Sequence, residues 1–218
     1  MARIVFDLDG TLIDSAPDIH GIANALLAEE GIDPITLAQA RDFIGNGAAV
    51  FVKKMRLACG IPDSEQDRLH EAFVGRYDDA VNLTVPYPHV EAALKALKAE
   101  GHILGICTNK PIRPTHAVLK HLKLDGYFDT FWGGDSLPTH KPDPAPLFAA
   151  FEALGDGPML YVGDSDVDAG TAVNAKVPFL LFTEGYRKQP VAEMPHDVAF
   201  SDFADLPGIV AQMLVDAA

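Results

Sequence analysis

Basic residues are scarce in this chain. Its 218 residues carry 17 lysines and arginines against 31 aspartates and glutamates, a formal net charge of −14. That balance excludes a broad phosphate-backbone surface, so nucleic acid is not an expected partner. It also means that any anionic ligand meets an unfavourable field and must be captured by local positive charge. Cysteine is rarer still. Cys59 and Cys107, with no CxxC spacing, exclude a disulfide framework and a structural zinc site and fit a reducing, cytoplasmic setting. The eight histidines form no i,i+4 pair of the kind that grips a metal from one helix. Long apolar runs are absent as well, so no membrane span is expected. Near the start, Arg3 is followed by a short apolar run cut by Asp7, which reads as neither signal peptide nor anchor. What remains is 48% hydrophobic and 22% charged, enough to build one large or two small domains without staples.

Two regions differ in pattern. Ile4–Phe6 reads as a buried strand. From Ser15 to Asn82 the spacing is helical throughout. Ile19, Ile22, Ala23, Leu26 and Leu27 mark one helix ended by Gly31. Thr36-x-x-Gln39 predicts a capping box for a second. Gly45-Asn46-Gly47 breaks the pattern before a third, Ala48–Cys59, and Ser64 is the expected cap of a fourth carrying Leu69, Ala72, Phe73 and Tyr77. Leu83–Pro88 reads as a linker. Beyond it, helices over 89–100, 115–122, 145–154, 168–175 and 203–215 alternate with strands over 103–107, 130–132, 159–162 and 179–182. Alternation of this kind implies a parallel sheet covered on both faces. The first strand is expected to join that sheet.

Ligands of such a sheet bind at the carboxyl ends of its strands, and there the polar residues gather. The first strand runs into Asp7-Leu8-Asp9-Gly10-Thr11. Residues two apart in a strand share a face, so Asp7 and Asp9 are predicted to stand side by side. Two uncompensated carboxylates call for a cation or a proton nearby. The strand at 103–107 ends in Thr108-Asn109, the one at 159–162 in Gly163-Asp164-Ser165-Asp166-Val167-Asp168, and Lys141-Pro142 follows the one at 130–132.

These four segments, in this order, resemble the four motifs of the haloacid dehalogenase superfamily of phosphohydrolases. The resemblance spans nearly the whole chain. It implies an α/β fold, a Rossmann-like parallel sheet core over 1–14 and 83–218, with residues 15–82 inserted as an all-helical cap. It implies Asp7 as nucleophile, forming an aspartyl-phosphate, and Asp9 as the acid and base that serves the leaving alkoxide and then water. Mg²⁺ would be held by Asp7, Asp164 and Asp9, the last through its backbone carbonyl. Thr108, Asn109 and Lys141 would bind the phosphate, and Asp168 would orient Lys141 or a water on the metal. The cation has a clear task. Each pair of like unit charges about 4 Å apart costs roughly 4 kcal/mol at an effective dielectric near 20, and a phosphate dianion doubles that against one carboxylate. Asp166 is expected to cap the following helix.

The cap loop Phe43–Ala48, together with Thr108–Pro111 and Lys141–Leu147, is similar to the phosphoglycolate phosphatase branch of that superfamily. The implied substrate is a small phosphorylated metabolite, 2-phosphoglycolate, with amides at Gly45, Asn46 and Gly47 nesting its carboxylate. Other readings stay open: a sugar phosphate, nucleotide or pyrophosphate as substrate, a β-phosphoglucomutase-like phosphomutase, or a phospho-receiver signalling module. A monomer and a homodimer both fit. Lys53-Lys54 and Arg187-Lys188 read equally as anion contacts and as solvated faces, with the solvated face expected for Lys53-Lys54.

Overall fold

A computed structural model describes residues 1–77 and 80–216. Asp78 and Asp79, inside the segment read as cap, and Ala217 and Ala218, at the end of the core segment, lie outside the described residues. Along the chain the elements are β1 (Arg3–Phe6), β2 (Ile13–Asp14), α1 (Ala16–Glu29), α2 (Leu37–Phe43), α3 (Ala48–Cys59), α4 (Gln66–Val74), β3 (Val85–Pro86), α5 (Val90–Ala99) and β4 (Ile103–Cys107). They continue as α6 (Ile112–His121), β5 (Thr130–Trp132), α7 (Ala145–Ala153), β6 (Met159–Gly163), α8 (Asp166–Ala175), β7 (Phe179–Phe182), β8 (Val198–Phe200) and α9 (Leu206–Asp216). Among the described residues no helix is long and apolar enough to cross a membrane.

The main sheet has six parallel strands in the order β5-β4-β1-β6-β7-β8. Its strands are apolar on both faces, and their period of two sorts the core. Ile4, Phe6, Leu104, Ile106, Leu160, Val162, Leu180 and Phe182 point one way, against Val90, Leu94 and Leu97 of α5, Val118 and Leu119 of α6, and Leu206 and Val210 of α9. Val5, Cys107, Tyr161, Phe179 and Leu181 point the other way, against Leu147, Ala150 and Phe151 of α7 and Ala169 and Ala172 of α8. Each such large buried side chain contributes about 1.5–3 kcal/mol relative to exposure. The α/β core is therefore Rossmann-like, and β1 lies at its centre.

Helices α1–α4 build a separate core. Ile19, Ala23, Leu26 and Leu27 of α1 meet Phe43, Phe51, Val52, Met55, Leu69, Phe73 and Tyr77. Buried Arg56 ties this block internally, donating to Gln66 Oε1 at 2.8 Å, the Ile61 carbonyl at 3.0 Å and Asp63 Oδ1 at 2.5 Å. Two strands of chain lead into and out of the block, and they pair: β2 runs antiparallel to β3. The Asp18 carboxylate accepts from the Leu83 and Thr84 amides and the Thr84 hydroxyl, which pins the return passage to α1.

Several local expectations change. The Thr36/Gln39 capping box is present, but Ser64 caps nothing. It lies inside a 3₁₀ turn, Asp63–Glu65, that precedes α4. Asp166 is the first residue of α8, and its neighbour Ser165 is the cap, bonded reciprocally to Asp168. Leu83–Pro88 is more than a linker, because β3 falls within it. β8, only three residues long and half-exposed, was too short to announce itself by pattern.

Candidate active site

β1 stops at Phe6, so Asp7 and Asp9 do not both belong to a strand. The Asp7 amide still donates to the Val162 carbonyl at 2.9 Å. The chain then folds back on itself. The Leu8 carbonyl accepts from the amides of Thr11, Leu12 and Ile13 at 3.2, 3.0 and 3.2 Å. Gly10 makes this turn possible with φ of +93°, and a Cβ there would lie 2.5 Å from Asp164 Oδ2. Asp7 and Asp9 nonetheless face common space: both line a cavity with Thr108, Asn109 and Lys110, and an adjoining one with Lys141 and Asp164. A turn, not strand alternation, brings them together.

Beneath the cavity lies a buried charge cluster. Lys141 Nζ donates to Asp7 Oδ1 and to Asp168 Oδ1, each at 2.7 Å, and to the Tyr161 hydroxyl at 2.9 Å. Tyr161 in turn donates to Asp168 Oδ1 at 2.6 Å. Asp168 Oδ2 accepts from the Ser165 hydroxyl at 2.6 Å and from the Asp164 and Ser165 amides. Burial would raise the Asp168 pKa, but the Lys141 charge and these hydrogen bonds outweigh it and hold the carboxyl low. At Asp7 the balance reverses: burial dominates the attraction of Lys141 and pushes its pKa up to about 7. Asp164 accepts from Thr11 Oγ1 at 2.8 Å and the Tyr186 amide at 2.6 Å. Burial, with Asp168 and Asp7 nearby, raises it well above the ordinary carboxylate range. Lys141 is held above its usual value, since Asp168 and Asp7 outweigh its own burial.

Asp9 has a different partner. Its carboxylate accepts from Ser15 Oγ at 2.6 Å and from Lys110 Nζ at 3.1 and 3.3 Å. Lys110 is buried, and its ammonium stands 4.3 Å from the ring centre of Tyr77, on the helical block. Asn109 spends its side chain on architecture. Nδ2 donates to the carbonyls of Gly45 and Lys141, and Oδ1 accepts from the Lys141 amide, all at 3.0 Å. Both hydrogens of its side-chain amide are thus committed, while the residue itself still lines the cavity. Thr108 is buried at the cavity wall, with Oγ1 accepting from the Lys110 amide.

The cap loop is only partly as expected. Gly45 and Gly47 line the cavity, and Asn46 between them does not. The neighbouring glycines, at φ of +118° and +82°, turn the chain on either side of it. Lys53 is exposed, but Lys54 is not on a freely solvated face: it is half-buried, donates to the Asp42 carbonyl at 2.9 Å, and has its pKa lowered by burial and by Lys188. Lys188 lines the second cavity and donates weakly to the Ile44 carbonyl. Arg187 donates to the Thr183 carbonyl. Lys110, Tyr161, Ser165 and Tyr186 had no assigned role in the sequence reading. Only Lys110 carried a signal, standing directly after Thr108-Asn109.

Asp7, Asp164 and Asp168, all buried, each offer an oxygen within 4.8 Å of the others. Asp9 stands outside that group. With one ammonium among three carboxylates, the cluster keeps excess negative charge when ionised. Its donors are all oxygen, so a hard divalent cation fits both charge and chemistry. Asp168 accepts from Lys141, Tyr161, Ser165 and the Asp164 amide, whereas Asp7 accepts on one oxygen and Asp164 accepts one bond on each, so these two keep lone pairs for such an ion.

A sequence profile of haloacid dehalogenase-like hydrolases matches residues 4–182. The chain belongs to that family. Within the haloacid dehalogenase-like hydrolases it is similar to a phosphoglycolate phosphatase of Cereibacter sphaeroides, 49% identical over 217 residues, covering 98% of this chain and 100% of the relative. Phosphoglycolate phosphatase 1 of Pseudomonas aeruginosa is 38% identical over 210 residues, covering 93% of this chain and 77% of the relative. The crystal structure of a predicted phosphoglycolate phosphatase from Haemophilus somnus superposes with a TM-score of 0.90 at 33% identity, covering 96% of this chain and 98% of that one.

Proposed function

We propose that the protein is a Mg²⁺-dependent phosphomonoester hydrolase that converts 2-phosphoglycolate to glycolate and inorganic phosphate through an aspartyl-phosphate on Asp7. The observation that carries this reading is the unequal partnering of two carboxylates on one cavity: Asp7 on Lys141, Asp9 on Lys110 and Ser15. Relatives that share nearly the full length and bear the phosphoglycolate phosphatase name support the substrate.

In the mechanism, Asp7 Oδ2 attacks phosphorus while Lys141 holds Oδ1 and keeps the carboxylate aligned. Mg²⁺, held by Asp7, Asp164 and the Asp9 backbone carbonyl, supplies when bound the positive charge that lets a phosphate dianion approach a carboxylate. The phosphorus–ester oxygen bond breaks, and Asp9, which enters the cycle as the neutral acid, gives its proton to the departing alkoxide. Asp9 then accepts a proton from water, whose oxygen attacks phosphorus, releasing phosphate and restoring Asp7. Ser15 and Lys110 hold Asp9 in one orientation for both transfers. Thr108 and Lys141 stabilise charge on the equatorial oxygens. Asp168 positions Lys141. Residues 15–82 act as a lid over the core formed by 1–14 and 83–218, excluding bulk water during transfer. Among the described residues, those of the lid that line the cavity include no basic side chain, which argues against transfer to a phosphorylated sugar, whose second phosphate needs one.

The test is phosphate release from a panel of small phosphate esters with Mg²⁺. 2-Phosphoglycolate is expected to have the highest kcat/KM, and Asp7→Asn to lose at least about a thousandfold with an unchanged circular dichroism spectrum. A wild-type protein inert toward every ester would overturn the hydrolase reading. Activity that disfavours 2-phosphoglycolate would overturn the substrate.

A further inference from the structure

A two-ended anion needs two cationic subsites. The phosphate end would be served by the divalent cation that Asp7 and Asp164 fit, with Lys141 behind Asp7. The carboxylate end has no cationic side chain from the helical block, which among the described residues contributes Ile44, Gly45, Gly47, Ala48, Phe51 and Tyr77 to the wall. The cavity does hold a second ammonium. Lys110 comes from the core, lines the wall directly, and is buried under Tyr77. Its Nζ lies 3.1 and 3.3 Å from the two oxygens of Asp9. Three hydrogens are available on an ammonium, and Asp9 does not consume them all.

Geometry then links this group to substrate. If Asp9 serves the ester oxygen of the leaving group, that oxygen sits against Asp9 and therefore close to Lys110. In 2-phosphoglycolate the carboxylate carbon is two bonds from the ester oxygen, so the carboxylate cannot travel far from Asp9. Phe51 and Tyr77 line the same cavity, with the Tyr77 ring centre 4.3 Å from the Lys110 ammonium. Resting on the reading of Asp9 above, we infer that Lys110 is the specificity-determining residue that binds the substrate carboxylate, with Phe51 and Tyr77 limiting the leaving group to a short 2-hydroxy acid. The same geometry explains how a cavity that receives no cation from the described lid residues accommodates an anionic leaving group: the charge that selects the substrate is carried by the core.

The test compares kcat/KM for 2-phosphoglycolate with that for ethyl phosphate, which has the same leaving-group length and no carboxylate. A wild-type ratio well above one supports the proposed substrate, and a ratio near one overturns that substrate whatever Lys110 does. Because Lys110 also holds Asp9, Lys110→Met is expected to slow both esters and, beyond that shared loss, to lower the ratio by about 10- to 100-fold, as loss of a charge-assisted hydrogen bond to the carboxylate implies. Lys110→Arg should retain most of it. An equal loss on both esters would make Lys110 a positioning residue for Asp9 and overturn the inference. So would a collapse of the ratio in Lys188→Met with Lys110→Met unaffected. Should Lys110→Met fail to fold, the wild type still decides: the carboxamide analogue of 2-phosphoglycolate must be turned over about 10-fold or more less efficiently, and equal turnover overturns the inference.

Discussion

Asn109 shows how a residue can matter at an active site without touching the reaction. Its side chain joins three things: the amide and carbonyl of Lys141, and the carbonyl of Gly45 on the cap loop. One amide group therefore sets the height of the lysine that aligns Asp7 and also latches the lid. Asn109→Ala is expected to lower kcat by about 10- to 100-fold with a smaller change in KM. It should also cost about 1–3 kcal/mol of stability, since buried groups of Lys141 lose their partners. Steady-state kinetics and urea unfolding check both. Asn109→Asp keeps the acceptor for the Lys141 amide but loses both donated bonds, and should fall between the two. That Thr108-Asn109 belonged to the site was legible, because the pair follows a buried strand in an open parallel sheet. That the Asn109 side chain is spent on Gly45 and Lys141 was not. Which of its polar atoms are free depends on two loops distant in sequence.

At the level of elements, the site depends on two tight passages meeting at Asp164. Gly10 and Gly185 approach so closely that a Cβ on Gly185 would overlap the Gly10 carbonyl and the Asp164 side chain. Gly185→Ala is expected to displace the loop whose Tyr186 amide anchors Asp164, raising the Mg²⁺ concentration for half-maximal activity several-fold. A Mg²⁺ titration measures it, and an unchanged midpoint would show that the loop can yield. Gly208, exposed on α9 with open space around it, gives the opposite outcome. Gly208→Ala should add about 0.5–1 kcal/mol by removing backbone freedom from the unfolded chain and raise Tm by a few degrees. Long periodic helices such as α1 and α3 were readable from spacing alone. β2 and β3, two residues each, were not, since a pair so short exists only because the passages into and out of the lid run side by side.

Across the whole molecule, the buried acids link stability to pH and, on the proposed function, to metal. Asp7 has its pKa raised by burial from 3.8 to about 7, and Asp164 is raised as well. Between those values the native state keeps protons that the unfolded chain has released, so stability falls as pH rises through the interval. In EDTA, Tm is expected to decline as pH climbs from about 4 to 7. Mg²⁺, which competes with those protons, should raise Tm by several degrees at pH near 7.5 and by less at pH near 5. Differential scanning fluorimetry at both values, with Asp7→Asn as the variant expected to flatten the dependence, settles the point. A Mg²⁺ increment independent of pH would contradict the charge balance described for the cluster.

The sequence alone determined the order of the nine helices and of the strands β1 and β4–β7 among the described residues, the helical block after the first strand, and the four polar segments at the sheet's carboxyl edge. These follow from local periodicity and from a chain-order pattern, both of which are written along one dimension. Only the tertiary structure decided that Asp7 and Asp9 meet through a turn, that Asp168 is spent on Lys141, that Asn109 faces inward, and that Lys110 stands beside Asp9 under Tyr77. Those assignments rest on distances between segments far apart in the chain, and on burial, which sets both the charge of a group and the number of its polar atoms left for a ligand.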